Sequence, residues 1–250
     1  MRAADWLAAA DALPVGTIRD LAPEGGLLVV APHPDDESLG CGGALALAAR
    51  AGIRTGVVVL SDGSGSHPGS RDWPAERLSA LREDEARRAC ATLGVRADDV
   101  RFLRLPDRAV PSSGPAFEAA ARTIAAAADA IGAGTLLAPF GGDPHCDHEA
   151  GAAIAAHAAA LSRTAGARMR LFAYPLWAYA LPADAPLSAA PPRGIGLDVT
   201  DVLEVKARAI DAHASQLGLI IADDPGGFAI PAWMRAHALS GREPFVEVAS

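Results

Sequence analysis

Two short stretches of the chain gather side chains that bind cations and move protons. The first is Pro32-His33-Pro34-Asp35-Asp36-Glu37-Ser38-Leu39-Gly40-Cys41-Gly42-Gly43, and the second is Phe140-Gly141-Gly142-Asp143-Pro144-His145-Cys146-Asp147-His148-Glu149. Three carboxylates beside one imidazole repel one another, and a cation would relieve the repulsion. Histidine with aspartate is a donor set for Zn²⁺, Fe²⁺ or Mn²⁺ more than for Ca²⁺. His145 and His148 are three residues apart, so on a first helical turn they share a face. Neither stretch closes a site alone. Together they supply two histidines and an aspartate for a metal, with another histidine and aspartate left over. Three protein ligands with an open position is the catalytic arrangement. Two other readings of the first stretch stay open on the residues alone. It could be an acidic helix cap. It could be a dinucleotide loop, although Leu45 leaves GxGxxG incomplete and the carboxylates would repel a pyrophosphate.

Both stretches follow buried strand patterns, Leu27–Ala31 and Thr135–Pro139, and both run into helices. Further strands are predicted at Thr55–Leu60, Val100–Leu105 (half exposed) and Met169–Tyr174. Helical patterns lie at about 38–51, 74–93, 115–131 and 147–165, and Val199–Leu217 reads as one more helix. Segment 182–196, rich in Pro, Ala and Gly, reads as a loop. The tail has a short helical piece near 231–239 and an edge strand at Phe245–Val248. Strand–helix alternation implies right-handed crossovers, a mostly parallel sheet, and a site at the carboxyl ends of the strands. The expectation is an α/β protein, three-layered α/β/α, with a single domain over 1–250. Its core would span about 25–220, with a C-terminal extension at 221–250.

The chain has 250 residues, half of them hydrophobic, and a formal net charge of −8. This is globular composition. The acidic balance argues against nucleic acid and anionic lipid as partners. Cys41, Cys90 and Cys146 are odd in number and form no CxxC, which points away from a disulfide framework and toward a reducing compartment. Asp5 and Asp11 interrupt the apolar stretch Ala3–Leu13, unlike a secretory signal, and no membrane span is expected. A cytoplasmic location is the expectation.

His33-Pro34-Asp35-Asp36-Glu37, with His145-Cys146-Asp147-His148 about 110 residues later, resembles the PIG-L/LmbE-like metal-dependent deacetylases. The likeness extends in weaker form through Arg82-Glu83-Asp84-Glu85-Ala86, Leu93-Gly94-Val95, Phe102-Leu103 and Leu105-Pro106-Asp107. It ends at Lys206 with His213-Ala214-Ser215-Gln216, so that it covers about 25–220. The resemblance implies a Rossmann-like fold and one Zn²⁺ per chain, with Fe²⁺ or Mn²⁺ as alternatives. It implies removal of an acetyl group from a small-molecule N-acetylglucosamine-type conjugate. It implies His33, Asp36 and His148 as metal ligands, Asp35 as general base, His145 facing the reacting carbonyl, and Asp147 orienting His145. Family members often associate, so a homo-oligomer is an expectation. Pro32 stands where many members have Ala, and Cys146 fills a variable position.

Further candidates carry two readings each. Arg82 could hold a sugar hydroxyl or phosphate, or pair with Glu85 on a helix surface. Trp177 could stack on a sugar ring or simply be buried. His213 is a substrate-binding candidate by resemblance and otherwise a structural helix residue. Segment 61–73, with His67, could be a lid or a solvated loop. At whole-protein level the alternatives are a metallohydrolase of another N-acyl or ester bond, a non-catalytic relative, and a nucleotide-binding oxidoreductase.

Overall fold

Leu27, Val29 and Ala31 pack into one hydrophobic cluster, while Leu28 and Val30, between them in sequence, pack into another. This period-two alternation, with both sets apolar, marks a strand buried on both faces. The computed structural model describes residues 1–248 and builds that strand into the middle of a sheet. In chain order the elements are α1 (Ala3–Asp11), β1 (Val15–Gly16), α2 (Ile18–Leu21), β2 (Gly26–Ala31), α3 (Asp36–Arg50), β3 (Thr55–Ser61), α4 (Ala75–Thr92) and β4 (Val100–Leu105). There follow α5 (Gly114–Ile131), β5 (Ala133–Pro139), α6 (Cys146–Thr164), β6 (Arg170–Tyr174), β7 (Gly194–Asp198), α7 (Leu203–Asp211), α8 (Ala232–Ala238) and β8 (Arg242–Glu247). One face of the sheet meets α3 and α4 through Cys41, Ala44, Leu45, Ala48, Ala89 and Cys90. The other meets α5 and α6 through Ala121, Ile124, Ala128, Ile154, Ala155 and Ala158. The expected three layers are present.

Among the described residues the sheet has eight strands in the order β1-β7-β8-β6-β5-β2-β3-β4. Strands β2 to β6 pair in parallel. From β2 the chain steps outward through β3 to β4, then returns to β5 on the other side of β2 and continues to β6. The direction of winding therefore reverses between β2 and β5, the place where open α/β sheets hold their ligands. The two reactive stretches are the loops at the carboxyl ends of these two strands.

The predicted helices over 38–51, 74–93, 115–131 and 147–165 correspond to α3, α4, α5 and α6 within two residues at each end. Three other expectations are corrected. Segment 182–196 is not all loop, because β7 begins at Gly194. Gly194 has φ +150, and a side chain there would strike the Phe245 carbonyl, so glycine is what lets β8 approach. The helix predicted at Val199–Leu217 is divided into a 3₁₀ turn at Thr200–Val202, α7, and a second 3₁₀ turn at Ala214–Leu217. It breaks because Ser215 gives its backbone N–H to Glu85 instead of continuing the helix (2.8 Å). The edge strand predicted at Phe245–Val248 is β8, and it lies inside the sheet, antiparallel to both β6 and β7. The sheet also takes in β1 and β8, which lie outside 25–220. The tail residues 249–250 lie outside the described residues. No described helix is long and apolar enough to cross a membrane.

Glu243 fastens β8 to the helical layer that carries the first loop. Its carboxylate accepts the backbone N–H groups of Gly43 (2.6 Å) and Ala44 (2.8 Å) and pairs with Lys206 Nζ (2.7 Å). Both partners of the ion pair are buried. A side chain at Gly43 would collide with Val199 and with Glu243 itself. Breaking a buried pair from one side leaves an uncompensated charge. Lys206→Ala is therefore expected to cost about 3–5 kcal/mol in urea unfolding. A loss below about 1 kcal/mol would mean that the N–H groups alone satisfy Glu243.

Candidate active site

After β2 the chain is stiffened by Pro32 and Pro34 on either side of His33, and α3 starts at Asp36. The turn is closed by the His33 backbone N–H donating to Asp36 Oδ2 (2.9 Å). The same oxygen lies 3.0 Å from His33 Nδ1 and 3.3 Å from His148 Nε2. All three side chains are buried. His148, in the first turn of α6, makes an ion pair through Nδ1 with Asp143 Oδ2 (2.8 Å). Asp143 is held in turn by the N–H groups of Ala178 (2.9 Å) and Leu176. Among the described residues, the buried His148 Nε2 has no hydrogen-bond partner.

His148, Asp36 and His33 each offer one donor atom to a group whose atoms all lie within 4.8 Å of one another, and the ring atoms beside Asp36 Oδ2 are His148 Nε2 and His33 Nδ1. Two imidazoles and a carboxylate around one point suit Zn²⁺, Fe²⁺ or Mn²⁺. Each imidazole also has its second nitrogen against a carboxylate, the usual support of a metal-binding histidine. For His33 these are Asp147 Oδ2 at 3.2 Å and Asp107 Oδ1 at 3.4 Å. The residues fit a divalent cation. The protons show the same surplus of negative charge. Burial alone would lower the His148 pKa, yet Asp36 and Asp143 bring it up to about 9. Burial acts likewise on His33, and Asp107, Asp147 and Asp36 hold it well above its ordinary value. Asp36 is kept well below its own, against burial, by His148 and His33.

A second group, His33, His145 and Asp147, also has its donor atoms within 4.8 Å. Its donors are already engaged. Asp147 accepts the backbone N–H groups of Arg108 (2.6 Å) and Val110 (3.0 Å), and His145 Nδ1 accepts the N–H of Asp147 (3.2 Å).

Asp35 sits at the N-cap of α3 but does not cap it. Its carboxylate faces the Arg82 guanidinium (3.1 Å), which also donates to the carbonyls of Gly63 (2.8 Å) and Pro34 (3.1 Å). Its backbone N–H donates to Glu37 Oε2 (3.0 Å). Burial raises the Asp35 pKa, Arg82 counters, and Asp36 adds to the rise, leaving it at about 6. Arg82 makes no surface pair with Glu85, which instead accepts from the backbone N–H and hydroxyl of Ser215.

These groups meet in a cavity of about 330 Å³ whose lining includes His33, Asp35, Asp36, Arg82, His145 and Trp177. That is the small end of ligand pockets. His148 and Asp147 stand behind its wall. The carboxylate of Asp147 is turned to His33, so the group that fixes His145 is the backbone N–H of Asp147. With Nδ1 accepting, the neutral ring carries its proton on Nε2. Burial and the nearby His33 and His148 push the His145 pKa down. His213 does not line the cavity. It is fully buried, 3.0 Å from Glu37 Oε1 and 3.2 Å from Ser38 Oγ, and supports the Asp35 loop from below.

Residue reasoning passed over Glu37, Asp107 and Asp143, although all three lie within the quoted motifs. It had no signal for Phe228 and Met234, which add apolar side chains to the cavity lining. Segment 61–73 packs onto the tail. Gly69, Arg71 and Asp72 give backbone N–H groups to Asp224 and Asp223, and Phe228 gives its own to Ser66. A larger groove of about 680 Å³ between the ends of α5 and α6, lined also by Glu24 and Arg168, lies away from this chemistry.

Residues 28–159 match the family model described as GlcNAc-PI de-N-acetylase. The chain is 34% identical over 158 residues to the 2'-N-acetylparomamine deacetylase of Streptomyces fradiae, an alignment covering 57% of this chain and 54% of that one. It thus spans about half the length of that relative. It is 32% identical over 240 residues to the 1D-myo-inositol 2-acetamido-2-deoxy-alpha-D-glucopyranoside deacetylase of Actinosynnema mirum, with 80% and 83% covered. In fold it is similar to the 4-carboxy-2-hydroxymuconate hydratase GalB of Pseudomonas putida (TM-score 0.67, 18% identity, 91% and 97% covered). That last likeness concerns architecture alone, since one fold hosts several chemistries. The family model and the relative aligned over most of both chains agree with the two loops, and the chain belongs to the GlcNAc-PI de-N-acetylase (PIG-L) family.

Proposed function

We propose that this protein hydrolyses the N-acetyl group of an N-acetylglucosamine-type conjugate, with one Zn²⁺ held by His33, Asp36 and His148. The observation that carries the reading is the unpartnered, buried His148 Nε2 converging with His33 and Asp36 beside Asp35 and His145. Both sequence relatives are named as deacetylases of N-acetylated amino-sugar compounds, which supports it.

An amide is a weak electrophile with a poor leaving group. A divalent cation at this site would supply a Lewis acid for the acetyl carbonyl and bring a water's pKa toward neutrality. Asp35 is the group that takes the water's proton. Arg82 holds its carboxylate, Glu37 fixes its backbone N–H, and burial keeps it basic enough for the task. His145, its Nδ1 engaged by the Asp147 N–H, donates from Nε2 to the oxygen that gains charge or to the departing nitrogen. Asp147 and Asp107 keep the His33 ring aligned from behind. Trp177 and Phe228, with ring centroids 5.7 Å apart, offer apolar faces to the sugar.

The roles separate experimentally. Asp35→Asn is expected to keep the metal, read by elemental analysis, and to lose about 10²–10⁴-fold in amine release from N-acetylglucosaminyl conjugates. His33→Ala is expected to lose the metal itself. Wild-type turnover in Asp35→Asn would remove the general-base assignment. Absence of amine and acetate from every conjugate tested would direct attention to other N-acyl or ester bonds. Asp143→Ala is expected to weaken metal affinity about 10–100-fold in competition with a chelator, because it frees the His148 ring. Unchanged affinity would show that the ring is held by packing alone.

A further inference from the structure

Arg108 also lines the site cavity, and it is anchored there by its backbone. Its N–H donates to Asp147 Oδ2, the Val110 N–H to Asp147 Oδ1, and its carbonyl faces Cys146 Sγ (3.6 Å). For two N–H groups so close in sequence to reach one carboxylate, Arg108 adopts φ +65, a left-handed conformation uncommon outside glycine. The side chain then leaves the backbone over Gly65, where an added Cβ would stand 3.1 Å from Arg108 Cδ.

The contrast with Arg82 in the same cavity is informative. Arg82 is buried and spends its guanidinium on Asp35 and two carbonyls. The hydrogen bonds of Arg108 among the described residues are made by its main chain. The acidic neighbours that could neutralise it are otherwise engaged. Asp107 takes the Gly65 N–H (2.8 Å) and faces His33. Asp147 takes two backbone N–H groups and faces His33. A guanidinium on a fixed backbone, exposed and uncompensated among the cavity-lining residues of a chain of net charge −8, is suited to an anion arriving with the substrate. A planar fork of N–H donors matches phosphate or carboxylate oxygens.

We infer that Arg108 selects amino-sugar conjugates bearing an anionic group, phosphate or carboxylate, on the substituent attached to the sugar, and disfavours cationic ones. This rests on the deacetylase reading above and names the substrate class within it. Discrimination then arises from attraction to one charge and repulsion of the other.

The test compares kcat/KM for N-acetylglucosamine 1-phosphate, its carboxymethyl glycoside and its uncharged methyl glycoside. The proteins are wild type, Arg108→Lys and Arg108→Asn, the last because asparagine tolerates the left-handed backbone. Wild type is expected to prefer the anionic compounds by about tenfold or more, chiefly through KM, with the preference shrinking as salt is added. Arg108→Asn should bring the anionic-to-neutral ratio near one, and Arg108→Lys should keep part of it. The phosphate and carboxylate arms report which anion is preferred. A wild-type ratio of one or less, or a ratio unchanged in Arg108→Asn, would overturn the inference while leaving deacetylation standing. If no conjugate is turned over, the deacetylase reading fails, and calorimetric binding of N-acetylglucosamine 1-phosphate decides for Arg108 alone. About tenfold weaker binding in Arg108→Asn supports its role, and equal binding removes it.

Discussion

Carboxylates crowded out of water around two imidazoles are the constraint on which the rest of this structure depends. Asp35, Asp36, Asp107, Asp143 and Asp147 are all buried or nearly so at the carboxyl ends of adjacent strands. Such a cluster is costly unless each charge finds a partner. The chain meets that requirement unevenly. Asp143 and Asp147 are satisfied by backbone N–H groups, Asp35 by Arg82, and Asp107 by His33 and Gly65, which hold its pKa down at about 2. Asp36 is left facing the free side of two histidines. That place is also the one with an open donor set, where a divalent cation would take over the positive charge that the two histidines otherwise bring to Asp36.

The fold serves this cluster by geometry. Because the winding reverses between β2 and β5, no crossover covers the ends of those strands, and their loops face each other. The tail then encloses the site. β8 is locked by Glu243 to α3, the helix whose first turn carries Asp36, and the segment before it brings Phe228 and Met234 to the cavity wall. The stretch 228–247 therefore connects the central sheet to the site.

How far the sequence reveals this depends on the range of the interactions. Local patterns foretold β2, β5 and the four long helices, since apolar periodicity is written into each segment. The two loops were legible because their residue types have few uses other than binding cations. Long-range placement was not. Nothing near Phe245 signals that its strand inserts between two others, and the glycines of β7 read as loop until the approaching strand gives them a purpose. Arg82 illustrates the limit at the site. A helical spacing to Glu85 suggested a surface pair, whereas tertiary contacts gave Glu85 to Ser215 and Arg82 to Asp35. Asp147 shows the same effect on a smaller scale, with its backbone meeting His145 and its carboxylate meeting His33.

The central claim is that His33 Nδ1, Asp36 and His148 Nε2 together hold one divalent cation. Anomalous diffraction at the zinc edge, from crystals of the protein supplied with one equivalent of Zn²⁺, tests it most directly. The account predicts a single peak about 2.0–2.2 Å from those three donors, with His145 free of it. A peak among His33, His145 and Asp147 instead, or no peak in a preparation that still releases acetate, would contradict it.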